Sequence, residues 1–328
     1  MKPSRLSTVL QSLMAQRWPA FIWGPPGVGK SSIVRAVAAK ADLPVIDLRA
    51  SLLDPTDLRG IPSIDKGRAV WCPPAFLPSA EAPPGVLFLD EINAAPPLVQ
   101  AGLYQLVLDR RIGEYELPAG WWIVAAGNRQ QDRAVTFRMS SALSNRFIHL
   151  DFETDAADWR AWAIERRLDP LVISFIGARP ALLAEAPGDA AAYPTPRSWE
   201  MLSDVIRVFG GYKACADLAA GIVGEGAAIE FAAFLKKALT EADMRKIVAD
   251  PENATLPKSL DGIYTLTSWM ACEAADAEVS KAGAVLINRV PPEFGVIMAR
   301  DLMRARTAFV REPGYKTFIA SHGHLLVR

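Results

Sequence analysis

Eight residues near the N-terminus, Gly24-Pro25-Pro26-Gly27-Val28-Gly29-Lys30-Ser31, have the types and spacing to hold a polyphosphate. Glycines let successive backbone N–H groups curl around phosphate oxygens, and a helix beginning at Lys30 turns its positive end toward them. In this pattern Lys30 would reach the β and γ phosphates and the Ser31 hydroxyl would ligate Mg2+, with Ser32 following in the same turn. A plain Gly/Pro turn between a strand and a helix explains the glycines alone. It does not need Gly29, Lys30 and Ser31 together.

A second group follows the apolar run Val86-Leu87-Phe88-Leu89, where Asp90 and Glu91 stand at a strand end. Asp90 is suited to hold Mg2+ directly or through water, and Glu91 to orient or polarise an attacking water. Acids after strands also serve as helix caps and dipole partners; taken with the upstream glycine loop, the catalytic reading wins. Asn128 closes the run VAAGN. It could hydrogen-bond a γ-phosphate or lytic water, but taken alone the reading of a turn asparagine that serves its own backbone wins.

These groups need a scaffold that brings strand ends to one edge. Short apolar runs at Ala20–Trp23, Val45–Leu48, Val86–Leu89 and Trp121–Ala126, with a less continuous one at Phe147–Phe152, alternate with helical or loop segments. That alternation predicts an α/β fold, a parallel sheet covered by helices on both faces. Arg5–Gln16 has the apolar spacing of an amphipathic helix, and Lys30–Lys40 is also helical. Two hairpins interrupt the pattern, one around Lys66-Gly67 and one at RIGEYELP, Arg111–Pro118. After Thr154 the chain reads as helical. The expected divisions are an αβα nucleotide-binding domain over 1–154, a helical lid over 155–209 and a mostly helical extension over 210–328.

Lys plus Arg and Asp plus Glu number 36 each, so no net field draws the chain to nucleic acid or an anionic membrane. Cys72, Cys215 and Cys272 are far apart and form no framework, which suits reduced thiols in the cytoplasm. Met1–Arg17 is too polar for the core of a signal peptide, and Ala214–Leu235, the most apolar later stretch, is interrupted by Asp217, Glu225 and Glu230. The latter reads as a packed helix. His149 lies inside a strand run and reads as a structural side chain.

With these residues in view, the chain resembles AAA+ ATPases, and within them the MoxR branch. The resemblance rests on GPPGVGKS, DLRASLLDPTDLRG, FLDEINAAPPLVQ, RIGEYELP, SNRF and PTPRS, and it covers roughly residues 20–208 in order. It implies a P-loop αβα module with a helical lid, binding ATP and Mg2+, with Ser31 and Asp90 on the metal. It implies that Asn128 acts as sensor 1 and that Arg146 is the arginine finger entering a neighbouring subunit's site, with Arg133 and Arg138 as rivals in the same segment. Arg197 corresponds to sensor 2, a lid arginine on the γ-phosphate. Gly60–Pro74 stands where this clade carries its helix-2 insertion and Arg111–Pro118 where it carries the pre-sensor hairpin, so Trp71 and Tyr115 are either client-gripping residues or members of small cores.

The function this implies is a cytoplasmic ATP hydrolase. It would assemble as a ring, a hexamer by family analogy, and remodel or activate a protein client, with a von Willebrand A domain protein as the partner the same analogy implies. Two other readings stand beside it. One is a nucleic-acid motor or loader, against which the balanced charge weighs. The other is a nucleotide-gated binding module with little turnover, which would need neither Glu91 nor Arg146. Nothing in the sequence reads the base, so ATP is not separated from GTP.

Overall fold

The computed structural model describes residues 1–132, 136–186, 188 and 190–326. The chain divides into two compact units, Met1–Thr154 and Asp155–Arg328.

The first unit begins with α1 (Pro3–Gln16), β1 (Ala20–Trp23), α2 (Lys30–Lys40), β2 (Val45–Arg49) and the short α3 (Pro55–Arg59). A hairpin of β3 (Ile61–Asp65) and β4 (Arg68–Cys72) follows, then β5 (Val86–Asp90) and α4 (Pro97–Asp109). A two-residue-per-strand hairpin, β6 (Arg111–Ile112) and β7 (Tyr115–Glu116), leads to β8 (Trp122–Gly127), α5 (Ser141–Ser144) and β9 (Ile148–Asp151). Five strands pair in parallel in the order β2-β5-β8-β1-β9.

Period-two alternation explains why the strands read as unbroken apolar runs. Val86 and Phe88 enter a core with α1 and α2, together with Ile22, Trp122 and Val124. Leu87 and Leu89 enter the opposite core with α4, together with Phe21, Ile123 and Ala125. All four of these β5 side chains are at 0% exposure, and each such burial contributes about 1.5–3 kcal/mol. The β3–β4 turn has Lys66 and Gly67 both at positive φ, 47° and 76°, the combination that matches the twist of a two-residue hairpin.

The second unit is helical. It contains α6 (Ala156–Glu165), α7 (Pro170–Ala178), α8 (Pro196–Val208), α9 (Ala219–Val223), α10 (Glu225–Leu235), α11 (Glu241–Ala249), α12 (Leu260–Cys272), α13 (Ala277–Leu286), α14 (Pro292–Ala305) and α15 (Pro313–Leu326). The expected division at 209 does not coincide with a change of core. Trp159, Phe175 and Trp199 from before it pack in one cluster with Val223, Phe231 and Phe234 from after it. A second cluster gathers Met244 to Phe318. The single helix expected over 214–235 is also divided. Gly224 sits between α9 and α10 at φ 86°, where a Cβ would come within 2.9 Å of the Ala192 carbonyl oxygen. Among the described residues no helix is long and apolar enough to cross a membrane.

Candidate functional site

The carboxyl ends of β1, β5 and β8 meet at one edge of the sheet, and the chemistry-bearing residues converge there. After Trp23 the chain turns through the glycine loop, in which Gly27 and Gly29 take φ of 78° and 99°. Side chains other than glycine rarely adopt these values, and they let the loop's amides curl toward one point before α2 begins at Lys30. Lys30 is 8% exposed. Its Nζ donates to the Gly24 carbonyl at 2.6 Å, the Pro25 carbonyl at 3.0 Å and Asn128 Oδ1 at 2.7 Å. The ammonium thus lies inside the loop and touches the end of β8.

One residue along α2, Ser31 Oγ donates to Asp90 Oδ2 at 2.9 Å. Asp90 Oδ1 accepts from the Glu91 amide at 3.0 Å. Burial pushes the Asp90 carboxyl above its ordinary value of 3.8, and the nearby Asp47 carboxylate adds to the rise, against Ser31, Lys30 and the Glu91 amide. A hydroxyl and a carboxylate oxygen this close, on an acid that burial disfavours as an anion, form an oxygen donor pair that suits Mg2+. Ser31 and Asp90 are the residues that would hold it.

Glu91 follows in a left-handed conformation, φ 55°, which a non-glycine side chain adopts at a cost of about 1 kcal/mol or more. Its Oε2 accepts from Ser51 Oγ at 2.6 Å. Ser51 sits in the short turn after β2; it falls within the DLRASLLDPTDLRG match, but sequence reasoning gave it no role. Asn93 was missed too. It is 4% exposed, its Nδ2 donates to the Asn128 carbonyl at 2.7 Å, and its own carbonyl accepts from the Phe137 amide at 2.7 Å. Gly127 makes room for it, since a Cβ there would lie 2.3 Å from Asn93 Oδ1.

Of the other expected residues, Gly24, Pro25, Pro26 and Val28 belong to the loop just described, and Ser32 is exposed on the first turn of α2. Arg146 is exposed just after α5, with no side-chain partner among the described residues, and Arg138 is exposed nearby. Arg133 lies outside the described residues. Arg197 is exposed on the first turn of α8, in the second unit. That turn is set by Pro196 in the first position and by a reciprocal cap between Thr195 and Ser198.

The two hairpins lean on one another. The Trp71 amide donates to Glu114 Oε2 at 3.4 Å, and the Arg59 guanidinium lies 4.7 Å from the Trp71 ring centroid. Tyr115 donates its hydroxyl to the Pro78 carbonyl at 2.8 Å, and burial pushes that phenol up to about 12. Tyr115 is therefore anchored. The side chains that project are Ile61 and Ile64, 75% and 82% exposed.

A glycine loop at a helix N-terminus, with a lysine inside it and an acid pair at the carboxyl end of β5, defines a P-loop nucleotide-binding site. Residues 19–147 match the family model described as an AAA domain of the dynein-related subfamily. An 87-residue segment is 33% identical to the ATP-dependent zinc metalloprotease FtsH homolog of Helicosporidium sp. subsp. Simulium jonesii, covering 26% of this chain. The chain spans only 6% of that protein's length. A RuvB mutant of Thermotoga maritima is similar over 83% of this chain and 82% of its own, at 18% identity and a TM-score of 0.43. NtrX from Brucella abortus in complex with ADP is similar over 98% of this chain and 68% of its own, at 17% identity and a TM-score of 0.41. The family match supports an AAA+ ATPase domain over its span. The fold is the AAA+ αβα sandwich followed by a helical C-terminal region.

Proposed function

We propose that this chain is a MoxR-like AAA+ ATPase that hydrolyses ATP at the interfaces of a ring and uses the cycle to remodel or activate a protein partner in the cytoplasm. The single observation that carries the reading is the bonded series at the sheet edge. Lys30 touches Asn128, Ser31 touches Asp90, and Glu91 stands directly after Asp90. Phosphate oxygens arriving in the loop would take the place of Asn128 and the carbonyls on the lysine. Asn128 is then beside the terminal phosphate, and Glu91, once off Ser51, accepts a proton from or orients the attacking water. Mg2+, when bound on Ser31 and Asp90, supplies charge neutralisation for the phosphates.

By the family resemblance, a guanidinium answers the charge developing on the transferred phosphoryl group, and Arg197 is the sensor 2 candidate on the helical unit. Arg146, exposed and without a partner among the described residues, is the residue we assign to the next subunit's nucleotide. Arg138 is its rival. A ring, hexameric by analogy, follows from that assignment. The exposed Ile61 and Ile64 on the β3–β4 hairpin support contact with a protein client, and by the same analogy that client system includes a von Willebrand A domain protein. The balanced charge argues against nucleic acid.

The test is ATP turnover per subunit measured against protein concentration, with mass followed by light scattering. Turnover that climbs as the assembly forms, is lost in Arg146→Ala, and returns when Arg146→Ala is mixed with Glu91→Gln is the expected result. A constant rate from a persistent monomer removes the ring and the trans-acting arginine.

A further inference from the structure

We infer that His149 is a positioning residue that ties the segment carrying Arg146 to the strand feeding the phosphate loop. The inference rests on the reading of Arg146 as the residue that acts on a neighbouring subunit's nucleotide. Trp23 ends β1 immediately before Gly24. Its indole Nε1–H donates to His149 Nδ1 at 2.8 Å, and the two rings stack with centroids 5.9 Å apart and planes at 20°. An indole nitrogen only donates, so Nδ1 must carry the lone pair and the neutral ring's proton sits on Nε2. Nε2 lies 2.8 Å from the Ser144 carbonyl oxygen and 3.2 Å from Ser144 Oγ. Both ring nitrogens are thereby committed, one to each side.

The Ser144 end is where the arginine is placed. Ser144 closes α5, the Arg146 amide donates to the Leu143 carbonyl at 3.1 Å, and the Phe147 amide donates to the Ser144 carbonyl at 3.3 Å. The Ser144 carbonyl, two residues before Arg146, therefore accepts from Phe147 and from His149, both just beyond it, so the stretch carrying Arg146 is closed into a short loop. With four residues, α5 is far too short to hold its own orientation. Leu143 and Phe147 are buried in the core shared with β1 and β8, which sets the depth of the segment. Apolar contacts are non-directional, so the rotation of the segment needs directional bonds, and His149 supplies them from a rigid ring. A displacement of about 1 Å at a catalytic group costs on the order of 100-fold in rate, which is why such a tie would matter to turnover while leaving nucleotide affinity alone.

Three variants test the tie. His149→Phe keeps a ring to stack on Trp23 and removes both bonds. Trp23→Phe removes only the indole donor. His149→Gln offers an amide oxygen to the indole and an amide N–H to Ser144, and so restores the connection. Three quantities are read: backbone hydrogen exchange over 144–147 in nucleotide-free protein, affinity for a fluorescent ADP analogue, and turnover at saturating ATP in the assembled protein. His149→Phe is expected to speed exchange and lower turnover by about tenfold each, for the loss of the two hydrogen bonds, with affinity unchanged. Trp23→Phe should fall between, and His149→Gln should match wild type. Unchanged exchange or unchanged turnover in His149→Phe overturns the proposal, and so does a His149→Gln variant no better than His149→Phe. An Arg146→Ala variant, measured alongside, separates the two readings. If it keeps full turnover, the trans-acting assignment has failed; if it loses turnover while His149→Phe does not, only the tie has failed.

Discussion

Charge is buried in both units of this molecule, and the two burials differ in what closes them. In the helical unit Arg160 on α6 and Asp301 on α14 meet at 3.0 Å with 8% and 7% of their side chains exposed, and Ser268 on α12 lies 3.4 Å from the same guanidinium nitrogen. Burial pushes the Asp301 carboxyl up, and Arg160, Arg304 and Arg300 pull it back. Each charge there answers another fixed charge. At the sheet edge, Lys30 rests on two carbonyls and an amide oxygen, and Asp90 on a hydroxyl and a backbone amide. These hydrogen-bonding partners are neutral, with Lys30 and Asp90 acting on each other without a direct bond, and phosphate oxygens or a metal ion can replace them. A guanidinium–carboxylate pair sealed among three helices is not open to exchange, so the first arrangement fixes packing and the second holds charge ready for a ligand.

The sharpest way to break that contrast is to remove one member of the sealed pair. Arg160→Met should destabilise the helical unit by about 3–5 kcal/mol, because Asp301 is left buried without its partner. Arg160→Met combined with Asp301→Leu should recover most of the loss, since an apolar pair of similar volume needs no compensation. Urea unfolding followed by tryptophan fluorescence reads both. A cost below about 1 kcal/mol for the single variant would mean that water reaches the pair and that the two burials are alike.

At the sheet edge the matching substitution should act on turnover. Glu91→Gln is expected to lower kcat by at least about 100-fold with ATP affinity kept, as measured by steady-state phosphate release and by equilibrium binding. Wild-type kcat in that variant would take Glu91 out of the chemistry.

Asp90 gives a smaller effect of opposite sign on stability. Its folded-state pKa lies above the unfolded value of 3.8, so the native chain holds this proton more tightly than the unfolded chain does. The stability it contributes is fully present below 3.8 and is lost as pH rises through the raised value. At neutral pH the ionised group is a net cost. Asp90→Asn should therefore raise the melting temperature at pH 7 in the absence of nucleotide, with the gain shrinking toward pH 4, and should abolish the stabilisation expected of the wild type with Mg2+ and ATP. A lower melting temperature at pH 7 would show that Ser31 and the Glu91 amide outweigh burial.

What could be read from the sequence divides along the same line. The glycine loop, Asp90-Glu91 and the five strands are local signals, a few consecutive residues whose types dictate conformation, and each sits where the spacing put it. The bonds that join them are not local. Ser51 reaches Glu91 across 40 positions, Asn93 reaches Asn128 across 35 and Trp23 reaches His149 across 126. His149 read as a structural side chain because a histidine inside a strand carries no mark of what each ring nitrogen meets. After Thr154 the sequence reads as helical without saying which of the helices share a core. For that reason the division drawn at 209 falls inside the cluster that joins Trp199 to Phe231.

The smallest effect tests whether Ser51 restrains Glu91 or aims it. Ser51 Oγ is 2.6 Å from Glu91 Oε2, and Glu91 already holds a left-handed backbone, so the carboxylate is fixed from two sides before any nucleotide is present. If the serine holds the carboxylate back from water, Ser51→Ala should raise turnover at saturating ATP about twofold to fivefold, the equivalent of roughly 0.5–1 kcal/mol for one hydrogen bond. We expect this direction, because a bond between Ser51 and Glu91 competes with any bond between Glu91 and the attacking water. A fall of similar size would instead make Ser51 part of the aiming geometry. In either case Ser51→Ala combined with Glu91→Gln should turn over no differently from Glu91→Gln alone, since the serine acts only through that carboxylate. A further change in the double variant would mean that Ser51 touches the chemistry by another route.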